Sequence, residues 1–292
     1  MHAYIASIGL ISPQDASLQE SILRCVEPSY KDLINPVQLR RMSRIIKMGL
    51  GAAQICLQQA GNVQPDAIVT GTGLACVTDL ALFLHSVIHN EGEGTSPIPF
   101  INSSHNMVTA QIARTLKING YNNTHCNRRL SFEHALLDGL MLLNEGAARC
   151  VLVGGIDEYS DDYCRIMGTD YKAGEGAGFF LLHRRQQQGD IAKITQVKTW
   201  HGQMGDIKMD GVDVAFLGLN GDKQEDCFYH PIIEKAISRH IPITEYKQQC
   251  GEYMTSSAFA LAMAATSTQG AKAIIYNQYW GQEHGLILLE KL

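Results

Sequence analysis

The 292-residue sequence lacks several features that mark particular classes of protein. Its eight cysteines form no C-x-x-C pair and no spacing of the kind that zinc sites use. Charged residues make up only 18% of the chain, the formal net charge is −5, and no long basic run is present, so nucleic acid is not an expected partner. No apolar run is long enough to cross a bilayer. We therefore predict no metal, no cofactor and no membrane span.

The composition that is present is typical of an α/β enzyme fold. Hydrophobic residues make up 45% of the chain, and 27 glycines indicate many tight turns between strands and helices. Most cysteines lie in apolar runs such as residues 52–60, which favours small buried side chains in a reducing compartment. Residues 1–13 read as a first strand and lack the charged segment of a signal peptide. We expect a cytoplasmic location.

Helices are predicted at three places before residue 120. Asn35 is placed to cap a helix that begins at Pro36 and continues to Gly61. Its polar face carries four basic residues that we interpret as a solvated surface, with a carrier-protein contact as a second possibility: Arg40, Arg41, Arg44 and Lys47. Residues 80–90 and 106–118 also follow a helical pattern, and residues 91–100 have the composition of a loop.

The second half of the sequence repeats the order of the first. Residues 192–200 resemble the opening strand, and residues 211–222 resemble residues 65–76. Because glycines recur at matching places, we predict an internal repeat. The prediction is one globular unit made of two similar α/β halves, residues 1–185 and residues 186–292.

Three motifs carry a resemblance to a known family. They are the strand and turn VLVGGIDEY (residues 151–159), the helix at residues 133–146, and the GEGAG stretch with Gly174, Glu175, Gly176 and Gly178. Together they resemble the β-ketoacyl synthases of the thiolase superfamily. The arginine-rich helix at residues 39–53 also resembles one found in the shorter synthases and chain-length factors of polyene and pigment pathways. The resemblance implies an α-β-α-β-α layered fold with a mixed five-stranded sheet in each half. It also implies dimers that pair through the strand before the nucleophile.

The same resemblance implies three catalytic positions, and none holds the family's residue. The family's nucleophilic cysteine stands five residues before a His-Ala-Leu sequence, which here begins at His134, so Arg129 takes its place. Leu217 and Glu252 stand where two histidines are implied, although Lys247 and Gly251 of the second histidine motif are retained. An arginine cannot carry an acyl thioester. The resemblance therefore implies a synthase fold without synthase chemistry.

Each polar candidate also has a structural interpretation. We expect Arg129 and Glu252 to form a buried ion pair, Lys247 to pair with a nearby carboxylate, and Glu175 to anchor a turn. Cys126 and His134 could form a thiol–imidazole pair. We favour instead a packed strand residue for Cys126 and a core position for His134.

Three functions remain open. The first is a non-catalytic subunit that pairs with an active ketosynthase, with acyl carrier protein as a further partner. The second is an enzyme with altered acyl-thioester chemistry that uses Cys126, His134, Glu252 or His284. The third is a homodimeric acyl-binding or scaffold protein.

Overall fold

The computed structural model describes residues 1–13, 21–89, 96–167 and 171–292. The strands are β1 (Ala3–Ile11), β2 (Ile22–Leu23), β3 (Ala67–Gly71), β4 (Asn122–His125), β5 (Cys150–Asp157), β6 (Ala173–Gly174), β7 (Gly176–His183), β8 (Ala192–His201), β9 (Val214–Leu217), β10 (Ile243–Glu245), β11 (Lys272–Tyr279) and β12 (Glu283–Lys291). The helices are α1 (Pro36–Leu39), α2 (Arg44–Gln59), α3 (Val77–His89), α4 (Pro97–Asn102), α5 (Met107–Leu116), α6 (Ser131–Glu145), α7 (Asp161–Met167), α8 (Lys223–Asp226), α9 (His230–Ser238), α10 (Lys247–Cys250) and α11 (Ser257–Thr266).

Ten of the strands form one mixed sheet in the order β10-β9-β11-β12-β8-β1-β7-β5-β3-β4. The antiparallel pairing of β1 with β8 joins two sets of five strands. Within the first set, β3 pairs in parallel with β4 and β5, and β7 pairs antiparallel with β5 and β1. The second set has the same pattern, with β9 in the place of β3 and β12 in the place of β7. The two halves of the sheet therefore have the same topology.

Apolar side chains divide the molecule into layers. The central layer contains α6 and α11 between the two halves of the sheet. Helix α11 is apolar and buried nearly all round because both halves of the sheet cover it. The outer layer of the first half packs α2 and α5 on their sheet. On the outer side of the second half, Ile232 and Ala236 of α9 pack against β9 and β11. This is the α-β-α-β-α arrangement implied by the resemblance.

The two halves differ in one connection. Between β1 and β3 the chain forms α2, which covers the outer face of β1 and β7. The equivalent connection between β8 and β9, residues 202–213, contains no helix. The outer face of β8 and β12 is therefore covered by an irregular segment alone.

The helix predicted from Pro36 to Gly61 is divided in the structure. Asn35 accepts a hydrogen bond from the Val37 amide at 2.9 Å and caps α1 as expected, but α1 ends at Leu39 and a new helix begins at Arg44. The break turns Arg44 inward to a buried carboxylate, so the interpretation of Arg44 as a solvated residue is wrong. The helices predicted over residues 80–90 and 106–118 are present as α3 and α5.

The loop predicted over residues 91–100 lies only partly within the described residues. Its first five residues, 91–95, lie outside the described residues, as does residue 90 of the predicted helix before it. Residues 97–100 belong to α4 rather than to a loop, because Pro97 occupies the first turn of a helix, where the missing N–H has no cost.

Candidate functional site

The turn between β4 and α6 brings Arg129 into the centre of the molecule. Ser131 stabilises this turn because its hydroxyl accepts a hydrogen bond from the Asn127 amide at 2.8 Å and donates one to the Arg128 carbonyl at 2.6 Å. Arg128 has a φ of 51°, in the left-handed region that non-glycine residues rarely adopt. A strained residue at this point is consistent with a site where the surrounding structure dictates the backbone.

Arg129 is bound by carboxylates of the second half. Its guanidinium contacts Glu225, and its Nε lies 3.2 Å from Oε1 of Glu252. The second contact is an ion pair without hydrogen-bond alignment. Burial lowers the pKa of Arg129, but Glu252 and Glu225 together raise it above its ordinary value. The expected ion pair with Glu252 is present, and Glu225 is a second partner.

A lysine and an asparagine complete the network around Glu252. Lys247 donates to Oε2 of Glu252 at 2.7 Å and to Oδ1 of Asn277 at 3.3 Å, so the expected carboxylate partner of Lys247 is present. Asn277 in turn donates to the carbonyl of Arg129 at 3.0 Å. Two cations and two carboxylates therefore balance in charge within the core, which is the condition under which buried charges persist.

Glu225 is fixed by hydrogen bonds from other residues of the second half. Its second oxygen accepts a hydrogen bond from Asn220 at 2.9 Å, and its carbonyl accepts one from Gln278 at 3.2 Å. The ring of Tyr279 lies 5.0 Å from the Arg129 guanidinium, close enough for a cation–π contact. With these partners, the position of Arg129 is determined from several directions.

Little free space remains beside this network. The cavity that reaches Glu252 has a volume of about 30 Å³, and its walls include Tyr163, Tyr171 and Tyr253. That volume is close to the share of one liquid water molecule, ~30 Å³. The cavity therefore has no room for an acyl chain.

The predicted site residue Leu217 lies elsewhere. It ends β9 and is fully buried in the outer apolar cluster of the second half, together with Tyr229 and Tyr276. The neighbouring Gly218 is closer to the network, because a β-carbon there would come within 2.9 Å of Oδ1 of Asn277. The structure thus brings Arg129, Glu252 and Lys247 together and leaves the Leu217 side chain in the outer layer.

The GEGAG stretch connects the two halves next to Glu252. A β-carbon on Gly174 would come within 2.0 Å of the Cys250 carbonyl, and one on Gly176 within 2.3 Å of the Tyr253 hydroxyl. Gly251 adopts a φ of 75° against Gly174, and the Gly174 amide donates to the Glu252 carbonyl at 3.0 Å. Only glycine allows these approaches. The motif therefore positions Glu252 opposite Arg129.

Two further members of the stretch have packing roles. Gly178 lies against Ala258 of α11. Glu175 is fully buried and accepts hydrogen bonds from the amides of Cys25 and Tyr159, each at 3.0 Å. Arg44 donates to both of its oxygens at 2.6 Å, and these bonds lower the pKa of Glu175 despite its burial. Glu175 anchors the turn, as its structural interpretation predicted.

Cys126 and His134 do not form a thiol–imidazole pair. Both ring nitrogens of His134 have partners, Asn127 at 2.7 Å and Thr199 at 3.2 Å, so none is left for the thiol. Burial and the charge of Asp157 raise the pKa of Cys126, which disfavours the thiolate. The arrangement therefore lacks an activated nucleophile.

The structural interpretations of these two residues need correction. Cys126 is exposed and follows the last residue of β4, so it is not a packed strand residue. His134 is half-buried rather than a core residue. Both line an open cavity of about 510 Å³ whose wall also includes Arg128 and Trp200. The reason is that β4 ends one residue before Cys126, where the chain turns away from the sheet.

His284 is a buried residue with both ring nitrogens in hydrogen bonds. The Tyr276 hydroxyl contacts its Nδ1 at 2.7 Å, and its Nε2 lies 2.7 Å from the Gly202 carbonyl. Because a carbonyl only accepts, Nε2 carries the proton and Nδ1 accepts from the tyrosine. Trp200 stacks on the ring with centroids 4.9 Å apart. His284 therefore has no free nitrogen with which to act as a base.

Sequence reasoning missed Glu225, Asn277 and Glu133 as members of the central polar cluster. Glu133 is fully buried beside Asn277 and Lys247, and burial raises its pKa to about 7. One signal was available for Glu133, because a carboxylate in the first turn of a helix that is otherwise apolar on that face has to be buried. Glu225 and Asn277 had no local signal.

The described residues contain no group of three or more His, Cys, Asp and Glu side chains arranged to hold a metal ion. In the same part of the chain, no helix combines the length and the apolar character needed to cross a membrane.

Comparison with known proteins identifies solved structures with a similar fold. No family model and no curated protein sequence matches the chain. Its structure is similar to a chain of AntDE:AntF, a type II polyketide synthase acyl carrier protein in complex with its ketosynthase bound to the hexaketide (12% identity, TM-score 0.79, covering 100% of this chain and 99% of that chain). It is also similar to the ishigamide ketosynthase/chain length factor (16% identity, TM-score 0.77, covering 100% of each chain).

A third similar structure is the ketosynthase ApeO in complex with its chain length factor ApeC from Xenorhabdus doucetiae (13% identity, TM-score 0.79, covering 99% of this chain and 98% of that chain). At these identities the likeness establishes the fold. The chain has the thiolase-like fold of ketosynthases and chain length factors over its full length.

Proposed function

We propose that this chain is a non-catalytic ketosynthase-like subunit that pairs with an active ketosynthase in cytoplasmic chain assembly of the fatty-acid or polyketide type. The observation that carries the proposal is the environment of Arg129. The family resemblance assigns the acyl-carrying cysteine to this position, and here a permanently protonated guanidinium is bound by Glu225 and Glu252. The protonated Arg129 guanidinium cannot act as a nucleophile.

The space around Arg129 supports the same conclusion. The cavity beside Glu252 is about 30 Å³, so an acyl thioester has no room next to the network. Opening that space requires the separation of at least one buried ion pair, which leaves an uncompensated charge. The polar network therefore occupies the space that an acyl chain would need.

Two exposed surfaces are suited to binding a partner protein. The edge strand β4 has a free side, because β3 is its single neighbour in the described sheet. The family is implied to pair through this strand. In addition, α3 exposes Leu80, Leu84 and Ile88 at helical spacing, and α4 exposes Phe100 and Ile101. Exposed apolar patches of this kind mark interaction surfaces.

The similar structures support the identity of that partner. ApeO and ApeC are a ketosynthase and its chain length factor, and AntDE:AntF includes an acyl carrier protein. By likeness, we propose an active ketosynthase as the partner of this chain. The exposed Arg40 and Arg41 offer a basic contact for an acidic carrier protein.

The other two functions have weaker support. Altered acyl-thioester chemistry would need an activated group, and Cys126, His134 and His284 lack one for the reasons given above. A homodimeric acyl-binding protein would need an open apolar pocket beside Arg129, where the structure has a charged network.

Size-exclusion chromatography with light scattering tests the pairing. The chain is mixed with the ketosynthase encoded beside its own gene, and a complex of one copy of each is expected. The Asn122→Pro variant should weaken it. The carbonyls of Tyr121 and His125 accept bonds from the amides of Ile68 in β3 and of Thr72 directly after it. The N–H of Asn122 therefore points to the free side of β4, where a proline blocks strand pairing.

The matched control is Glu245→Pro, at an exposed position on β10, the opposite edge of the sheet. It should leave the complex intact. Absence of association by the unaltered chain would contradict the proposal. Equal loss with both proline variants would show that β4 is not the pairing surface.

A further inference from the structure

The outer face of β8 and β12 forms a cleft that the first half of the molecule does not have. In the first half, α2 covers the equivalent strands with apolar side chains. In the second half, residues 202–213 cross the same face without a helix and leave a cavity of about 390 Å³. This volume lies within the range of small-molecule sites, roughly 300–1,000 Å³.

The floor of this cleft is partly apolar. Leu286 and Leu288 stand on one face of β12, two residues apart and therefore roughly 7 Å from each other along the strand. Ile207 faces them from the irregular segment, and Trp200 lies at one end. A linear aliphatic chain that lies along β12 would contact both leucines.

The walls of the cleft carry an excess of positive charge. Lys198, which pairs in register with Leu286, and Lys208 both line it. Neither forms an ion pair with another described residue. One carboxylate, Asp206, also lines the cleft, but Asp206 and the nearby Asp210 have their own cations, Lys235 and Arg239, each at 2.6 Å. Two lysines therefore remain for an anion.

We propose that this cleft binds an anionic amphiphile, a linear aliphatic chain with a carboxylate head. The tail lies along Leu286 and Leu288 under Ile207, and the carboxylate lies between the ammonium groups of Lys198 and Lys208. The binding is non-covalent. The site does not depend on the proposed ketosynthase pairing, because it lies on the second half and shares no residue with β4, α3 or α4.

Trp200 provides a direct readout, since it lines the cleft and is one of only two tryptophans. Decanoate is titrated into the purified chain below its micelle concentration, with decanol as the uncharged comparison. We expect a saturable change in tryptophan fluorescence with decanoate that is absent from the Trp200→Phe variant. High salt should weaken the binding, because the lysines are solvent-accessible.

Charge removal separates this cleft from the cavity near Cys126, which Trp200 also lines. The Lys198→Gln/Lys208→Gln variant should weaken decanoate binding roughly 3- to 10-fold and leave decanol unchanged, because each exposed charge pair contributes a modest amount. Arg128→Gln removes a charge from the other cavity only and should change neither ligand.

Three results would overturn the proposal. They are the absence of saturable decanoate binding, equal affinity in the double lysine variant and the unaltered chain, and weakening by Arg128→Gln as large as that by the lysine changes. Circular dichroism of each variant verifies the fold, and both lysine positions are exposed, so folding is not at risk.

Discussion

Nε of Arg129 lies 3.2 Å from Oε1 of Glu252, and the two residues come from opposite halves of the molecule. Arg129 follows β4 in the first half, and Glu252 follows α10 in the second. Where the family resemblance implies a cysteine and a histidine that act on one substrate, this chain has two charges that bind each other. The contact therefore joins the two halves of the molecule through a buried ion pair.

Removal of the Arg129 side chain is expected to destabilise the protein strongly. Arg129→Ala leaves Glu225 and Glu252 buried with one cation fewer, and breaking a buried ion pair in this way costs about 3–5 kcal/mol. The free energy of unfolding from urea denaturation measures the effect. The matched control is Arg149→Ala, whose side chain is 93% exposed and pairs with Asp66 at the surface. That change should cost less than about 1 kcal/mol. Similar losses in both variants would contradict the account.

Glu133 should make the protein less stable as the pH rises towards neutrality. Burial raises its pKa from 4.5 to about 7, so between these values the folded state holds a proton that the unfolded chain has released. The free energy of unfolding therefore falls with rising pH across this window. Glu133→Gln should remove this decline, on the order of 2–3 kcal/mol.

The test of Glu133 is a series of urea denaturations from pH 4.5 to 8. The control is Glu145→Gln, an exposed position at the other end of α6. The buried Glu158, whose pKa burial also raises to about 7, contributes equally to all three proteins and cancels in the differences. Parallel curves for Glu133→Gln and the unaltered protein would show that the Glu133 carboxyl does not titrate in this range.

Glu175 has the opposite pH dependence. Hydrogen bonds from Arg44 and two backbone amides lower its pKa below 4.5, so its contribution to stability is complete above that pH and is lost as the pH falls through the lowered value. Glu175→Gln should therefore be less stable than the unaltered protein at pH 7, and the gap should narrow below pH ~4.5. A gap of constant size across an acid titration followed by circular dichroism would contradict this assignment.

Two exposed thiols report the pairing surface. Cys126 directly follows β4, whereas Cys227 lies on the second half of the molecule, and both are accessible. Binding of a ketosynthase along β4 should slow alkylation of Cys126 by N-ethylmaleimide and leave Cys227 unaffected. Peptide mass spectrometry after timed labelling gives both rates in one sample. Unchanged labelling of Cys126 within a verified complex would place the partner elsewhere.

The layered fold and several contacts of the site could be predicted from the sequence. Strong local patterns, such as the buried strand at residues 151–153 and the helix that ends at Gly146, indicated the elements. The turn predicted at Gly154 and Gly155 is wrong, because both glycines lie within β5 and pair with β7. The family motifs indicated that Arg129 and Glu252 would meet. The division of the predicted helix before Arg44 was missed, since the inward turn depends on Glu175, 131 residues away in sequence.

The remaining members of the polar network had no such signal. Glu225 lies 96 positions from Arg129, and Asn277 lies 148 positions away. Their sequence surroundings are those of an ordinary surface helix and an ordinary strand. They join the network because the second half folds over α6, which is a tertiary event. Cys126 was misjudged for a related reason, because the pairing of β4 with β3 ends at His125, and this pairing joins segments far apart in the sequence.

Acyl loading measured by intact-protein mass spectrometry tests the central claim most directly. The purified chain and the ketosynthase encoded beside it are incubated together with an acyl thioester of the carrier protein. We expect the acyl mass to appear on the ketosynthase alone, and this chain to remain unmodified while it co-elutes with the loaded subunit. A stoichiometric acyl adduct on this chain, located at Cys126 or at any other thiol, would contradict it.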